Sequence, residues 1–196
     1  VVEKSHLAEI TDDRYLSEMT RCIFKAGFVW RVIENKWSGF EAAFDGFVPA
    51  YWQQVPPEVL EKLAEDERIV RNLQKIRTVP ENARMIMDVV HDYGSFGRFL
   101  ADRPSTDQAG LLLYLRRNGC RLGGNSAQYF LRRVGWDGFI LSRDVVTALT
   151  RAEILDASPT SQKGLKQVQA AFNQWHEETG LPFSHLSRIV SFTVDN

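Results

Sequence analysis

An all-α fold is predicted for this chain of 196 residues by three observations. Apolar residues recur at steps of three and four through most of its length, and glycines and prolines stand where those periodic runs stop. No stretch alternates β-branched residues for long enough to make a sheet. Taken in order, Leu16, Met19, Ile23, Ala26, Trp30, Ile33 and Trp37 are spaced as one apolar stripe and predict a single helix. Pro56-Pro57 opens a second run, in which Val59, Leu60, Leu63, Ile69, Val70, Leu73 and Ile76 share a face with a break near Glu67. Pro80 opens a third that stops at Gly94, since proline suits a first helical turn and glycine the position after the last. The stretch 95–105, which contains Gly97 and Pro104, reads as a connection. Asp107 is placed to cap a helix that runs through Leu115 and stops at Gly119. Further helices are expected from Ala127 to Val134 and from Asp144 to Leu155, with a turn over 136–138 between them. Beyond Ser158-Pro159, residues 160–179 carry Leu165, Val168, Phe172 and Trp175 on one face and end at Gly180, and a last short helix spans 184–192.

Composition bounds the function classes. With 44% hydrophobic residues the chain can bury a full core, so one domain over 1–196 is expected. A net charge of −1 argues against retention on nucleic acid by bulk charge alone. Basic residues are nevertheless concentrated: Arg116, Arg117, Arg121, Arg132 and Arg133 flank a glycine pair, whereas Glu58, Glu61, Glu65, Asp66 and Glu67 form an acidic stretch elsewhere. The two cysteines, Cys22 and Cys120, form no CxxC, and the opening Val-Val-Glu-Lys carries no targeting pattern, so a reduced, cytoplasmic setting is expected. His6, His91, His176 and His185 are scattered, and neither cysteine lies at ligand spacing from them. No metal, no cofactor and no membrane span are expected, and the chain is read as a monomer.

The glycine pair stands in Leu122-Gly123-Gly124-Asn125-Ser126, between two helical runs. Without a Cβ, Gly123 and Gly124 let the chain turn sharply and its amides approach an anion, while Asn125 and Ser126 are able to cap the helix that follows. The same letters also fit an ordinary helix-helix turn.

Segments far upstream separate these readings. Ala26-Gly27-Phe28-Val29-Trp30, the spacing of Phe40, Ala42, Phe44 and Phe47, Pro49, Ile69-Val70-Arg71, Lys75-Ile76, Asn82-Ala83-Arg84, Ser95-Phe96 and the run from Leu111 to Ser126 follow one another in a fixed order. In that order and spacing the chain resembles the DNA-3-methyladenine glycosylase I family, a branch of the helix-hairpin-helix base-excision glycosylases. The resemblance implies a helical fold with two lobes flanking a cleft, approximately 20–135 and 1–19 with 136–196. It implies a monofunctional enzyme that hydrolyses the N-glycosidic bond of an alkylated purine such as 3-methyladenine in double-stranded DNA.

The chain departs from that family in three ways. Cys22 stands where the family has the glutamate that recognises the flipped base. The family's zinc-binding cysteines and histidines have no counterpart, so the helices over 160–196 are left to close the fold. The superfamily's catalytic aspartate falls on Asp144 by counting from Gly124, or on Ser142 by matching Gly135-Trp136 and Phe139-Ile140-Leu141.

Base excision needs flat apolar surfaces for an extruded base and a way to offset positive charge growing on the sugar. The pocket candidates are Cys22, Phe28, Trp30, Trp37, Tyr51 and Trp52; Trp30 is either a pocket wall or part of the apolar stripe. Asp144 and Glu34 are the catalytic candidates; against this, Asp144 suits a helix N-terminus and Glu34 an exposed face. DNA contact is expected at Arg121, Gly123, Gly124, Asn125 and Ser126, through positions that hold a backbone without reading sequence. Two readings compete with the enzyme: a scaffold that binds damaged DNA without cutting it, favoured by Cys22, and an all-α protein whose exposed aromatics contact another protein.

Overall fold

A computed structural model of the chain describes residues 3–194, so Val1 and Val2 of the opening segment lie outside it. Among the described residues there are α-helices, two short 3-10 turns and no strand. The helices are α1 (Lys4–Glu9), α2 (Asp12–Lys25), α3 (Trp30–Ala43), α4 (Pro49–Trp52), α5 (Pro57–Leu63), α6 (Leu73–Ile76), α7 (Thr78–Tyr93), α8 (Phe96–Ala101), α9 (Gln108–Asn118), α10 (Gly124–Val134), α11 (Arg143–Arg151), α12 (Gln162–Thr179) and α13 (Phe183–Phe192).

The stripe from Leu16 to Trp37 belongs to two helices, not one. Gly27 takes φ +67 between extended Ala26 and Val29, a backbone that costs glycine little and reverses the chain between α2 and α3. Lys75 holds this corner from α6: its Nζ donates to the carbonyls of Phe24 at 3.0 Å and Ala26 at 2.8 Å. Carbonyls at a helix end have no partner within the helix, so a buried lysine meets a real demand there. The second run breaks as expected, into α5 and α6, around a turn in which Asp66 accepts from the amide of Arg68 at 2.9 Å.

Three boundaries differ from the sequence expectation. The supposed connection 95–105 contains α8, because Ser95 Oγ accepts from the amide of Arg98 and Phe96, Phe99 and Leu100 are all buried. Helix α10 starts at Gly124 with Gly123 as its N-cap, so Asn125 and Ser126 lie in its first turn rather than capping it. Helix α11 is capped by Ser142, whose Oγ accepts from the amide of Val145 at 3.3 Å, and it stops at Arg151, short of Leu155. The Asp107 cap is present, accepting from the amide of Gly110 at 3.0 Å.

A continuous core runs through these helices. Part of it is aromatic: Trp37 stacks on Phe40 at 4.7 Å and on Phe47 at 5.7 Å, while Phe96 meets Tyr15 and Phe130 at tilted angles and Tyr15 meets Phe130 edge to face. Helix α1 packs on α8, and Tyr15 of α2 donates to the carbonyl of Leu7 at 2.6 Å. Through these contacts the segment before residue 20 meets helices of 20–135, and Lys4 and Leu7 also border a hollow with Trp136 and Asp137. The stretch from Trp136 to Leu141 is buried without regular structure, and side chains satisfy its backbone. Gln108 exchanges two hydrogen bonds with Phe139, both at 2.8 Å, and Gln128 accepts from the amide of Leu141. That stretch carries the chain from α10 to α11, and α11 and α12 pack in turn against α13.

Candidate functional site

The α2–α3 corner faces the first turns of α10. Between them lies a cavity of about 450 Å³ lined by Cys22 and Lys25 of α2, Ala26 and Gly27 of the corner, Trp30 of α3, and Asn125, Ser126, Tyr129 and Arg133 of α10. Its volume falls in the range of small-molecule sites, roughly 300–1,000 Å³. Helical spacing explains the set: Cys22 and Ala26, like Asn125, Tyr129 and Arg133, are four residues apart and so share a face.

Trp30 forms one wall. Its indole is half exposed and meets the ring of Tyr129 edge to face, with 5.4 Å between centroids. Lys25 Nζ lies 5.4 Å from the centre of the same indole, within reach of a cation–π contact. Cys22 is buried at the base, and burial, with Glu18 nearby, pushes its thiol up to about 12, so it is uncharged at neutral pH.

Behind this wall stands a network of ions. Glu34 pairs with Lys25, with Arg21 at 3.1 Å and with Arg133 at 3.6 Å. Arg133 also meets Glu18 at 2.6 Å, and Glu18 meets Arg21 at 3.5 Å. The hydrogen bond from Lys25, followed by the charges of Lys25, Arg21 and Arg133, holds the Glu34 carboxyl below its ordinary value. A carboxylate so stabilised is a weak proton acceptor, which sets Glu34 apart from a general base.

The glycine hairpin reaches this cavity through Asn125 and Ser126, whereas Gly123 and Gly124 themselves line a separate small hollow with Arg116, Gln128 and Thr160. Gly124 has φ +55, is exposed, and a Cβ built there would meet nothing within 4 Å. The hairpin is tied to α7: Asn82 donates to the Cys120 carbonyl at 3.1 Å and accepts from the Cys120 amide at 2.7 Å. Arg121, also at positive φ, is exposed and donates to Gln74 at 2.9 Å. Asn125 turns its side chain to the carbonyl of Leu141 at 3.0 Å. Open space at Gly124 leaves the α10 N-terminus accessible to an anion.

Of the pocket candidates, Cys22 and Trp30 line the cavity. Trp37 does not: it is buried in the aromatic stack, with its Nε1 donating to Ser17 at 3.2 Å. Trp52 is likewise core, donating to the Phe44 carbonyl at 2.7 Å. Phe28 is exposed on the corner beside Lys75, and Tyr51 is exposed on α4; neither lines the cavity. These four are close in sequence but sit apart in the fold: Phe28 on the corner, Trp37 two turns along α3 from Trp30 and sunk in the core, and Tyr51 and Trp52 on α4. Asp144 is exposed in the first turn of α11 and does not line the cavity. Ser142 caps that helix and edges a second hollow with Tyr129 and Arg188. Lys25, Tyr129 and Arg133 were missed; their spacing from Cys22 and Asn125 on the two helices was the available signal.

The all-helical scaffold brings a glycine turn next to an aromatic-walled cavity, the arrangement that the sequence resemblance implies. The methyladenine glycosylase family model matches residues 7–109, just over half of the chain, and the chain belongs to that family. The matched span holds the α2–α3 corner and ends before the hairpin. A 3-methyladenine DNA glycosylase I from Staphylococcus aureus shares the fold with a TM-score of 0.56 and 22% identity, over 64% of this chain and 78% of that one. A 3-methyladenine DNA glycosylase I in complex with 3-methyladenine gives 0.56 and 22%, over 64% and 77%. Another structure of a 3-methyladenine DNA glycosylase I gives 0.54 and 25%, over 65% and 81%. No helix among the described residues is long and apolar enough to cross a membrane, and no group of three or more potential metal ligands is present among them.

Proposed function

We propose that this chain is a monofunctional DNA glycosylase that hydrolyses the N-glycosidic bond of a modified purine extruded from duplex DNA. The observation that carries this reading is the adjacency of the open α10 N-terminus at Gly124 to the cavity walled by Trp30. A backbone phosphate at the hairpin amides sets the register of the strand, and the nucleotide beside it has the cavity to turn into. Stacking on the indole is worth ~1–3 kcal/mol, set against the few kcal/mol spent on unstacking. A base seated there displaces water, and the charges around it then act at lower dielectric than in solution.

No carboxylate lines the cavity. The lining therefore acts on the base rather than on the sugar: it binds and orients, and the bond breaks as far as the base can accept the electron pair. The same feature favours a second reading, in which Cys22 leaves the scaffold able to bind damaged DNA without cutting it.

The deciding experiment incubates the protein with duplexes that carry modified purines, among them alkylated DNA, and measures abasic sites after alkaline cleavage. Strand cleavage that disappears in Trp30→Ala supports the enzyme. Duplex binding with no abasic site from any substrate selects the binding protein, and absence of both rejects a role on DNA.

A further inference from the structure

The charge on the cavity wall narrows which base it accepts, an inference that rests on the glycosylase reading. Two lining residues are cations, Lys25 and Arg133, and none is an anion. Counting the partners behind the wall does not reverse the sign, since Arg21, Lys25 and Arg133 stand against Glu18 and Glu34 alone, three cations to two carboxylates. Cys22 adds no compensating charge, because its buried thiol stays protonated. The remaining polar side chains, on Asn125, Ser126 and Tyr129, carry no net charge.

We infer that the site is built for an uncharged purine that offers a carbonyl edge, such as the 6-oxopurine hypoxanthine, and against a cationic N-methylated purine. Three physical steps lead there. A cationic base moved from water into this cavity meets a net positive wall at reduced dielectric, whereas a carbonyl oxygen meets donors on Lys25 and Arg133. The leaving groups differ in the same sense. When the C1′–N9 bond of an uncharged purine breaks, the electron pair goes to N9 and the base departs as an anion; a cationic base departs neutral. Cations at the wall stabilise a charge that appears only as the bond breaks, and so act on the barrier rather than on binding alone. Water adds through oxygen to C1′, its proton passes to solvent, and the departing anion takes a proton from solvent, so that the products are the free base and an abasic sugar.

Guanine carries the same carbonyl, and the duplex supplies the discrimination. Extrusion costs least for a mispaired base, so hypoxanthine opposite thymine enters more easily than guanine paired with cytosine.

The test compares the full chain on two duplexes, one with hypoxanthine opposite thymine and one with 3-methyladenine, reading abasic sites over time. Hypoxanthine release is expected to be at least tenfold faster, and Arg133→Gln is expected to shrink that ratio while Arg133→Lys preserves it. Arg133 is partly solvent-exposed at the end of α10, so its replacement leaves the core intact. Release of 3-methyladenine at an equal or higher rate overturns the inference and leaves the glycosylase reading standing. If neither base is released, the hydrolase reading falls and binding decides the charge inference: the duplex with hypoxanthine is expected to quench the fluorescence of Trp30 at lower concentration than the duplex with 3-methyladenine, whose base is cationic while it stays bonded to the sugar, with Trp30→Phe as the control. The reverse order overturns it.

Discussion

Asn82 and Cys120 exchange two hydrogen bonds, the amide side chain of the first closing a ring with the backbone N–H and carbonyl of the second. This single side chain fixes the hairpin to α7, and it is 1% exposed. Asn82→Ala leaves both backbone groups without their partner, at a cost of about 2 kcal/mol. For a chain of this size that lowers the melting temperature by about 5 °C, and thermal unfolding followed by circular dichroism measures it. Duplex affinity is expected to fall as well, since the hairpin loses its fixed orientation.

Two tryptophans on α3 separate stability from function. Trp37→Ala empties a site in the aromatic stack and is expected to destabilise the protein by about 3–5 kcal/mol, measured by chemical denaturation. Trp30 is 50% exposed, so Trp30→Ala is expected to cost well under half of that. Base release moves in the other sense: it falls at least tenfold in Trp30→Ala. A Trp30 variant as unstable as the Trp37 variant, with base release unchanged, contradicts the assignment of Trp30 to the cavity wall.

These two residues also show what the sequence could and could not disclose. Periodicity found the apolar faces of α2 and α3, and it found the ends of α7, α9, α12 and α13, because Gly94, Gly119, Gly180 and the prolines act locally. Periodicity could not find the corner at Gly27, since Ala26 and Trp30 keep the helical spacing across it. The break comes from the glycine's φ and from Lys75, which is distant in sequence. Grouping aromatics by sequence proximity fails for another reason: Trp37 lies two turns further along α3 and Trp52 on α4, both buried in the core, while Trp30 at the start of α3 meets Tyr129 of α10. Helix α8 was hidden because three apolar residues in one and a half turns make too short a period to read. The cavity needed both its halves, and Tyr129 and Arg133 join Trp30 only through the packing of α10 on α2.

Gly124→Val tests the hairpin without touching the core. Valine is strained at φ +55 and places its branch where a phosphate oxygen has open access. Because space at the position is free, the folded state is retained at a cost of about 1–2 kcal/mol. Affinity for duplex DNA at low salt is expected to drop at least tenfold, measured by fluorescence anisotropy. Affinity equal to that of the unchanged protein removes the hairpin from the DNA interface.

The ion network behind the cavity predicts a pH dependence of stability whose sign follows from Glu34. Its carboxyl titrates below the ordinary value of 4.5, chiefly through the hydrogen bond from Lys25, so the folded state binds the proton less readily than the unfolded state does. Stability from this group is therefore fully present above the unfolded value and is lost as pH falls through the lowered one. Glu34→Gln removes that titration, and the melting temperature of the variant is expected to change less steeply below about pH 4.5 than that of the unchanged protein. The side chain is 40% exposed, so solvent screens the pair and the contrast is small at high salt and larger at low salt. At neutral pH the same substitution leaves Lys25, Arg21 and Arg133 facing Glu18 alone and makes the wall more positive. Release of an uncharged base is then expected to hold or rise, where a general base at Glu34 requires its loss. Parallel melting curves across pH 3–7 and single-turnover base release at pH 7 decide between the two roles.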